Sequence, residues 1–258
     1  MLDWTPDPTN AVAHRPWEIP RSPWLIAQRW TDLLFAHWPI EPSVMRALVP
    51  SSLPLDTFDG AAWLSIASFQ LSHLRPHWLP ALPLVSAFPE LNVRTYVTLE
   101  GKGGVYFFSL DAGSALAVAG ARATYHLPYF NAEMHIRTTT DGTIEYSSHR
   151  TDPRGRPADF RARYRATGPV EFSASDTLDH WLTERYCLYT TDLGGRVYRA
   201  EIHHHQWPLQ PAEASLDENT MAMAAGLSVP DDGPRLSFSS LLDVVVWAPE
   251  RITRLPNG

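Results

Sequence analysis

Lysine and cysteine are almost absent from this sequence of 258 residues. All 21 basic residues except Lys102 are arginines, and Cys187 is the only cysteine. Any reaction that needs a lysine amine therefore has a single candidate residue. A lone cysteine excludes an intrachain disulfide, and this favours a reducing compartment.

Long apolar runs are also missing, since no stretch approaches the roughly 20 residues that a membrane-spanning helix requires. The first ten residues have neither a basic start nor an apolar segment, so the sequence predicts no secretory signal. We therefore expect a cytoplasmic protein without a membrane partner. The net charge of −7 and the pI near 5.8 oppose nucleic-acid binding, which needs a basic surface.

Aromatic residues are plentiful, with ten Trp, ten Phe and nine Tyr in a chain that is 44% apolar. This composition can supply a large core or an aromatic pocket. Residues 1–23 are rich in proline and are predicted to form an extended arm. Residues 24–258 are predicted to form one domain, because all-β domains often reach roughly 200–250 residues.

The pattern of apolar residues and turns predicts a mainly β (α+β) fold. Around residues 100–104, a glycine-rich turn joins two strand-like runs, as in a hairpin. Strands are predicted at residues 24–38 (with a short helix as the alternative), 61–71, 91–99, 105–110, 115–127, 135–140, 143–148, 160–166, 197–207 and 236–247. Short helices are predicted at residues 41–49, 177–187 and 215–225.

Charged and phenolic residues occur among apolar neighbours in residues 88–133. They are Glu90, Arg94, Arg122, Tyr125 and Tyr129. Buried charge must be paired or placed for use, so these residues are the candidate ligand-binding site, and Glu90 is the candidate catalytic residue. Because Glu90 and Arg94 would share a strand face, a structural ion pair between strands is an equally good explanation.

Two other clusters carry weaker signals. Glu201, His203 and His205 alternate on a predicted strand and could offer three metal ligands, but a polar strand face is the simpler explanation and no metal is expected. Arg161, Arg163 and Arg165 would form one basic face, which is usually a solvated sheet surface. No serine- or cysteine-hydrolase motif is present.

Residues 88–133, together with the segment MRALVPSSL at 45–53, resemble the YqjF-like family of uncharacterised bacterial proteins. That family is similar to the acetoacetate decarboxylase-like superfamily. The resemblance implies a closed, mainly antiparallel β-barrel or cone with a few peripheral short helices and an enclosed pocket. It also places Glu90 at the position of the decarboxylase active-site glutamate.

The sequence departs from the decarboxylase pattern at the position of the nucleophile. Where the resemblance implies two adjacent lysines, this chain has Tyr129 and Phe130. Tyrosine cannot form an imine, and Lys102 falls in the predicted turn, where it would be solvated and protonated. Acetoacetate decarboxylation through a Schiff base is therefore not expected.

These observations predict a pocket that binds a small keto or carboxylate compound, with no cofactor. Two alternatives remain open. One is an enzyme that uses Glu90 for proton transfer or hydrolysis. The other is a scaffold that binds an acidic partner through Arg161, Arg163 and Arg165. Base rates alone favour a homodimer.

Overall fold

The computed structural model describes residues 8–80 and 86–253, which form twelve β-strands and four short α-helices. The strands are β1 (Ile26–Ile40), β2 (Ala62–Pro76), β3 (Phe88–Leu99), β4 (Lys102–Ala112), β5 (Tyr129–Thr138), β6 (Ile144–Arg150), β7 (Asp159–Ala166), β8 (Cys187–Thr191), β9 (Val197–His204), β10 (Gln210–Asn219), β11 (Arg235–Val246) and β12 (Glu250–Arg251). The helices are α1 (Pro42–Arg46), α2 (Ala115–Tyr125), α3 (Leu178–Thr183) and α4 (Met221–Ala224). In the two described ranges, no helix has both the length and the apolarity to cross a membrane.

The sheet closes on itself twice, because β4 and β11 each change neighbour along one edge. β4 pairs in parallel first with β8 and then with β5, while β11 pairs first with β10 and then with β9. One closure runs through β1, β2, β3, β4, β8, β9 and β11, and we call it the pocket barrel. The other closure contains nine strands, namely β1 through β7 together with β10 and β11. It forms a mixed barrel, which we call the filled barrel. The predicted closed barrel is thus confirmed, with two parallel pairings among antiparallel ones.

Five strands, β1 to β4 and β11, form a wall that the two barrels share. In β3, Leu91, Val93 and Val97 pack with Tyr146 and other residues of the filled barrel. The alternate residues Phe88 and Tyr96 belong to a second core cluster, in the pocket barrel. Residues 90–97 of β3 are all buried, so neither face of this part of the strand meets solvent.

The predicted strand at residues 115–127 is wrong, because this segment forms α2. The Ser114 side chain accepts a hydrogen bond from the amide of Ala117 and so caps the helix, which is rich in alanine. His126 then adopts a left-handed conformation (φ 54°) and ends it. The segment crosses between β4 and β5, which run parallel and need such a connection.

Two helix predictions need correction. Residues 215–219 belong to β10, and only Met221–Ala224 is helical. Within 177–187, α3 ends at Thr183, its cap is Thr177, and Cys187 begins β8. Strand contacts outweighed helical spacing in both places. The other predicted strands and the helix at 41–49 are confirmed, with shifted ends.

Residues 8–17 of the predicted arm contact the outer face of β9, and the carbonyl oxygen of Ser22 accepts a hydrogen bond from Trp247, just after β11. The buried Arg15 guanidinium forms an ion pair with Glu201 and donates to the carbonyl oxygens of Ile202 and Tyr186. His14 lies 2.8 Å from the carbonyl oxygen of His204. The arm therefore holds the backbone of β9 and the residue before β8 in place. Residues 1–7 of the predicted arm lie outside the described residues.

Candidate functional site

A cavity of about 420 Å³ occupies the pocket barrel. Its walls come from inward-facing residues of the seven strands, and α2 covers one end with the small residues Ala117, Gly120 and Ala121. Most of the lining is apolar, so a few polar groups define what can bind. These polar groups fall into two sets along β3.

Glu90 forms the polar group nearer to α2. Its carboxyl is buried, with the whole residue 4% exposed, and it accepts a hydrogen bond of 3.1 Å from the Tyr129 hydroxyl. Burial raises the pKa of Glu90 from 4.5 to about 8, and the Tyr129 hydrogen bond opposes this rise only in part. Glu90 is therefore mostly a neutral carboxylic acid at pH 7. In that form it can donate a hydrogen bond as well as accept one.

Arg94 and Arg185 form the polar set farther along the barrel. Arg94 is 7% exposed, and its guanidinium lies 5.2 Å from the centre of the Phe35 ring. Burial lowers the pKa of Arg94; nearby Tyr96 opposes this decrease and Arg185 adds to it. The Arg185 guanidinium stacks on Trp181 and Tyr96 and donates to Asp56 at 2.5 Å. Two cations thus converge beside Tyr96.

Several polar atoms around the cavity have no hydrogen-bond partner within the described part of the chain. They are Nε of Arg75, Nε of Arg94, Nη2 of Arg185, Nε1 of Trp30, Nε1 of Trp207, Oδ1 of Asn92 and the hydroxyl of Tyr125. Most of them are donors. Buried donors are normally satisfied, so this set matches a ligand that carries oxygen acceptors.

His204 also lines the cavity, but as a neutral group. Burial lowers its pKa to about 4. Its Nδ1 lies 2.7 Å from the carbonyl oxygen of His205. The imidazole therefore adds no charge to the two arginines.

The structure brings four of the five predicted ligand-binding residues to the cavity: Glu90, Arg94, Tyr125 and Tyr129. Arg122 does not line it, because its guanidinium turns to the carbonyl oxygen of Tyr129 at 2.8 Å. Glu90 binds Tyr129, and Arg94 forms no ion pair with any carboxylate in residues 8–80 and 86–253. The alternative of a Glu90–Arg94 ion pair is therefore not what the structure shows.

The predicted metal candidates do not converge. Glu201 is paired with Arg15 and with Lys102, whose Nζ lies 2.7 Å away. His203 donates from Nε2 to the carbonyl oxygen of Pro8 at 2.9 Å, and His205 is exposed. No group of three or more metal-ligating side chains occurs among the residues that the structure describes.

The predicted basic face is balanced by acidic residues of the neighbouring strand. Arg161, Arg163 and Arg165 on β7 pair with Glu218, Asp217 and Glu213 on β10. The predicted helix at residues 215–225 would not give this arrangement, because only a strand places these carboxylates opposite the arginines.

Sequence reasoning missed Arg185 and His204. The sequence predicts Arg185 within the helix at residues 177–187, whereas it lies between α3 and β8. For His204 the strand periodicity is informative. In the strand predicted at residues 197–207, His204 lies on the face opposite Glu201 and His203. That opposite face lines the cavity.

Solved structures with a similar fold are acetoacetate decarboxylases and related proteins. Acetoacetate decarboxylase from Legionella pneumophila matches with a TM-score of 0.62 at 11% identity, over 97% of this chain and 98% of that chain. The enduracididine biosynthesis enzyme MppR, complexed with pyruvate, matches with a TM-score of 0.61 at 11% identity, over 93% of each chain. The chain therefore has an acetoacetate decarboxylase-like fold.

Sequence similarity defines the family more closely. The uncharacterized protein YqjF of Bacillus subtilis (strain 168) is 48% identical over 229 residues, which cover 89% of this chain and 93% of that protein. The model of the DUF2071 family, described as an uncharacterized conserved protein, matches residues 27–243. The chain belongs to this family, and the resemblance found in the sequence is confirmed.

Proposed function

We propose that the pocket barrel binds a small organic acid, with Arg94 holding its carboxylate. The observation that supports this most strongly is the buried Arg94 guanidinium, which faces the cavity without a carboxylate partner in the described residues. A buried cation is costly unless it is paired, and a ligand carboxylate would supply the missing partner. Charge-assisted hydrogen bonds from an arginine fork suit a carboxylate.

Arg185 supports the same assignment. One arm of its guanidinium is held by Asp56, and Nη2 has no partner in the described ranges. This atom can donate to the same ligand as Arg94. The keto oxygens of the expected ligands would be further acceptors for the unpaired indole donors of Trp30 and Trp207.

The proposal includes no imine step. Lys102 does not line the cavity, since its ammonium binds Glu201 and lies over the ring of Trp17, 5.1 Å from the ring centre. A lysine held as a cation on the outer face has no free electron pair to attack a carbonyl. Tyr129, at the position implied for the nucleophile, donates to Glu90 instead.

A second candidate function is proton transfer next to a carbonyl, with Glu90 as the acid or base. Its support is the pKa of about 8, which lies close to the working pH of a general acid or base. Exchange of carbon-bound hydrogen in D₂O, followed by NMR for acetoacetate and levulinate, would detect this activity. Exchange that is lost in Glu90→Gln would support it, and exchange no faster than in buffer would reject it.

Isothermal titration calorimetry with pyruvate, acetoacetate, levulinate and octanoate tests the binding proposal. Acetone and octanol serve as neutral controls. We expect at least one acid to bind and Arg94→Gln to weaken that binding by more than tenfold, because it removes the partner of a buried carboxylate. Arg161→Gln, which alters an exposed arginine paired with Glu218, should leave affinity unchanged. If no acid binds, or if Arg94→Gln binds as tightly as the wild type, the proposal is wrong.

A further inference from the structure

The polar groups of the cavity are separated along the barrel. Glu90 and Arg94 lie on the same face of β3, four residues apart, so their Cα atoms are roughly 13 Å apart in an extended strand. Glu90 lies towards α2, and Arg94 lies towards Arg185 at the end of α3. A single short ligand such as pyruvate cannot contact both groups when it is bound to the arginines.

Between Glu90 and Arg94 the same strand face carries one polar residue, Asn92, whose Oδ1 has no partner in the described residues. The lining opposite this stretch is apolar, since Leu110 pairs with Asn92 and Phe107 with Arg94 on the neighbouring strand β4. A hydrocarbon segment of the ligand would satisfy this part of the wall, whereas water or a second charge would not. The ligand class therefore has a charged head, an apolar middle and a distinct far end.

The hydrogen-bonding groups beside Glu90 are neutral. Arg75, a third arginine of the lining, lies six residues along β2 from Phe69, which pairs with Glu90. The Tyr125 hydroxyl of α2 is buried without a partner in the described residues, and Tyr129 of β5 donates to Glu90. From the other barrel, Tyr146 of β6 binds the backbone carbonyl oxygen of Glu90, and Asp111 of β4 is held by Arg150. No cation in the described ranges pairs with Glu90, so a second ligand carboxylate here would meet a carboxyl group without a counter-charge.

This inference rests on the proposed function. We propose that the ligand is an elongated monocarboxylic acid with a neutral carbonyl or hydroxyl oxygen near its far end. The carboxylate binds Arg94 and Arg185, and the chain lies along the apolar wall. The distal oxygen accepts hydrogen bonds from the Glu90 carboxylic acid and the Tyr125 hydroxyl.

Matched acids of one chain length test this inference by calorimetry at pH 6.5. Octanoate has no distal oxygen, 7-oxooctanoate has a distal carbonyl, and suberate has a distal carboxylate. We expect 7-oxooctanoate to bind about tenfold more tightly than octanoate, as one or two good hydrogen bonds allow, and suberate to bind more weakly than either. Levulinate, whose carbonyl is too close to its carboxylate, should show no such gain.

Variants at the far end complete the test. Glu90→Leu should remove the difference between 7-oxooctanoate and octanoate, while Glu90→Gln, which keeps a donor, should retain it. Circular dichroism confirms that each variant is folded. If octanoate and 7-oxooctanoate bind the wild type equally, this inference is wrong although the binding of organic acids stands. If no acid binds, the proposed function is wrong as well.

Discussion

The carboxyl of Glu90 is buried, and its backbone is held by residues of both barrels. Because burial changes the pKa of the carboxyl, the protonation of Glu90 is linked to folding. In the unfolded chain its pKa is near 4.5, and in the folded protein it is about 8. The folded state thus binds more protons between these values, and stability falls as pH rises through this window. The contribution of Glu90 is fully present below pH 4.5 and is lost above about pH 8.

We predict that Glu90→Gln flattens this part of the stability profile. A difference of about 3.5 pKa units corresponds to a free energy on the order of 5 kcal/mol, so the variant should be the more stable protein at pH 8.5. Urea unfolding at half-unit steps from pH 4.5 to 8.5 measures the effect. Glu133→Gln, at an exposed position of β5, is the control. Parallel profiles for Glu90→Gln and the wild type would contradict the assignment of a neutral Glu90.

The sequence allowed Glu90, Arg94 and Tyr129 to be selected, because charge and phenol groups inside apolar runs are rare enough to be informative. The sequence could not show whether these side chains pair with each other or are available to a ligand. Whether Arg94 meets Glu90 or a ligand depends on the distance between side chains across a closed barrel. Arg185 was beyond prediction, since its place in the cavity depends on where α3 ends.

At the scale of the element, α2 and β10 show how local signals compete with topology. Residues 115–127 contain alternating apolar and small residues that suit either a strand or a helix, and the Ser114 cap favours the helix. In β10, Glu213, Ser215 and Asp217 are exposed and alternate with half-buried positions, whereas the sequence predicts a helix from residue 215 onward. Cross-strand ion pairs with β7 favour the strand, and only the tertiary structure reveals them.

Two glycines are expected to respond oppositely to alanine substitution. A Cβ on Gly104 of β4 would lie 2.6 Å from the Cys187 carbonyl oxygen and 2.7 Å from its Sγ, where β4 meets β8. A Cβ on Gly120 of α2 would meet nothing within 4 Å. We predict that Gly104→Ala destabilises the protein by about 1–3 kcal/mol through overpacking.

Gly120→Ala should instead stabilise it by up to about 1 kcal/mol, because alanine is the better helix former. Urea unfolding of both variants at one pH measures the two effects. A Gly104→Ala variant with wild-type stability would show that β4 and β8 do not approach as closely as described. Equal losses in both variants would show that α2 is not a helix at Gly120.

On the scale of the whole molecule, the shared wall prevents the barrels from acting as independent units. If either barrel unfolds, one face of the five shared strands is exposed, and the other barrel loses the support of these strands. We therefore predict one cooperative transition in urea. Tryptophan fluorescence, to which Trp30 and Trp207 beside the cavity contribute, should coincide with far-ultraviolet circular dichroism. Two separated midpoints would contradict this prediction and divide the predicted domain at residues 24–258.

The shared wall also limits how such a gene can diverge. Successive residues of β3 point into different barrels. An inserted or deleted codon in the middle of this strand would therefore turn every later side chain of the strand from one barrel interior into the other. An ordinary surface strand can absorb such a change by moving the mismatch to a loop. In these five strands, new binding properties can arise by replacing side chains one at a time, while changes in length are confined to the connections between strands.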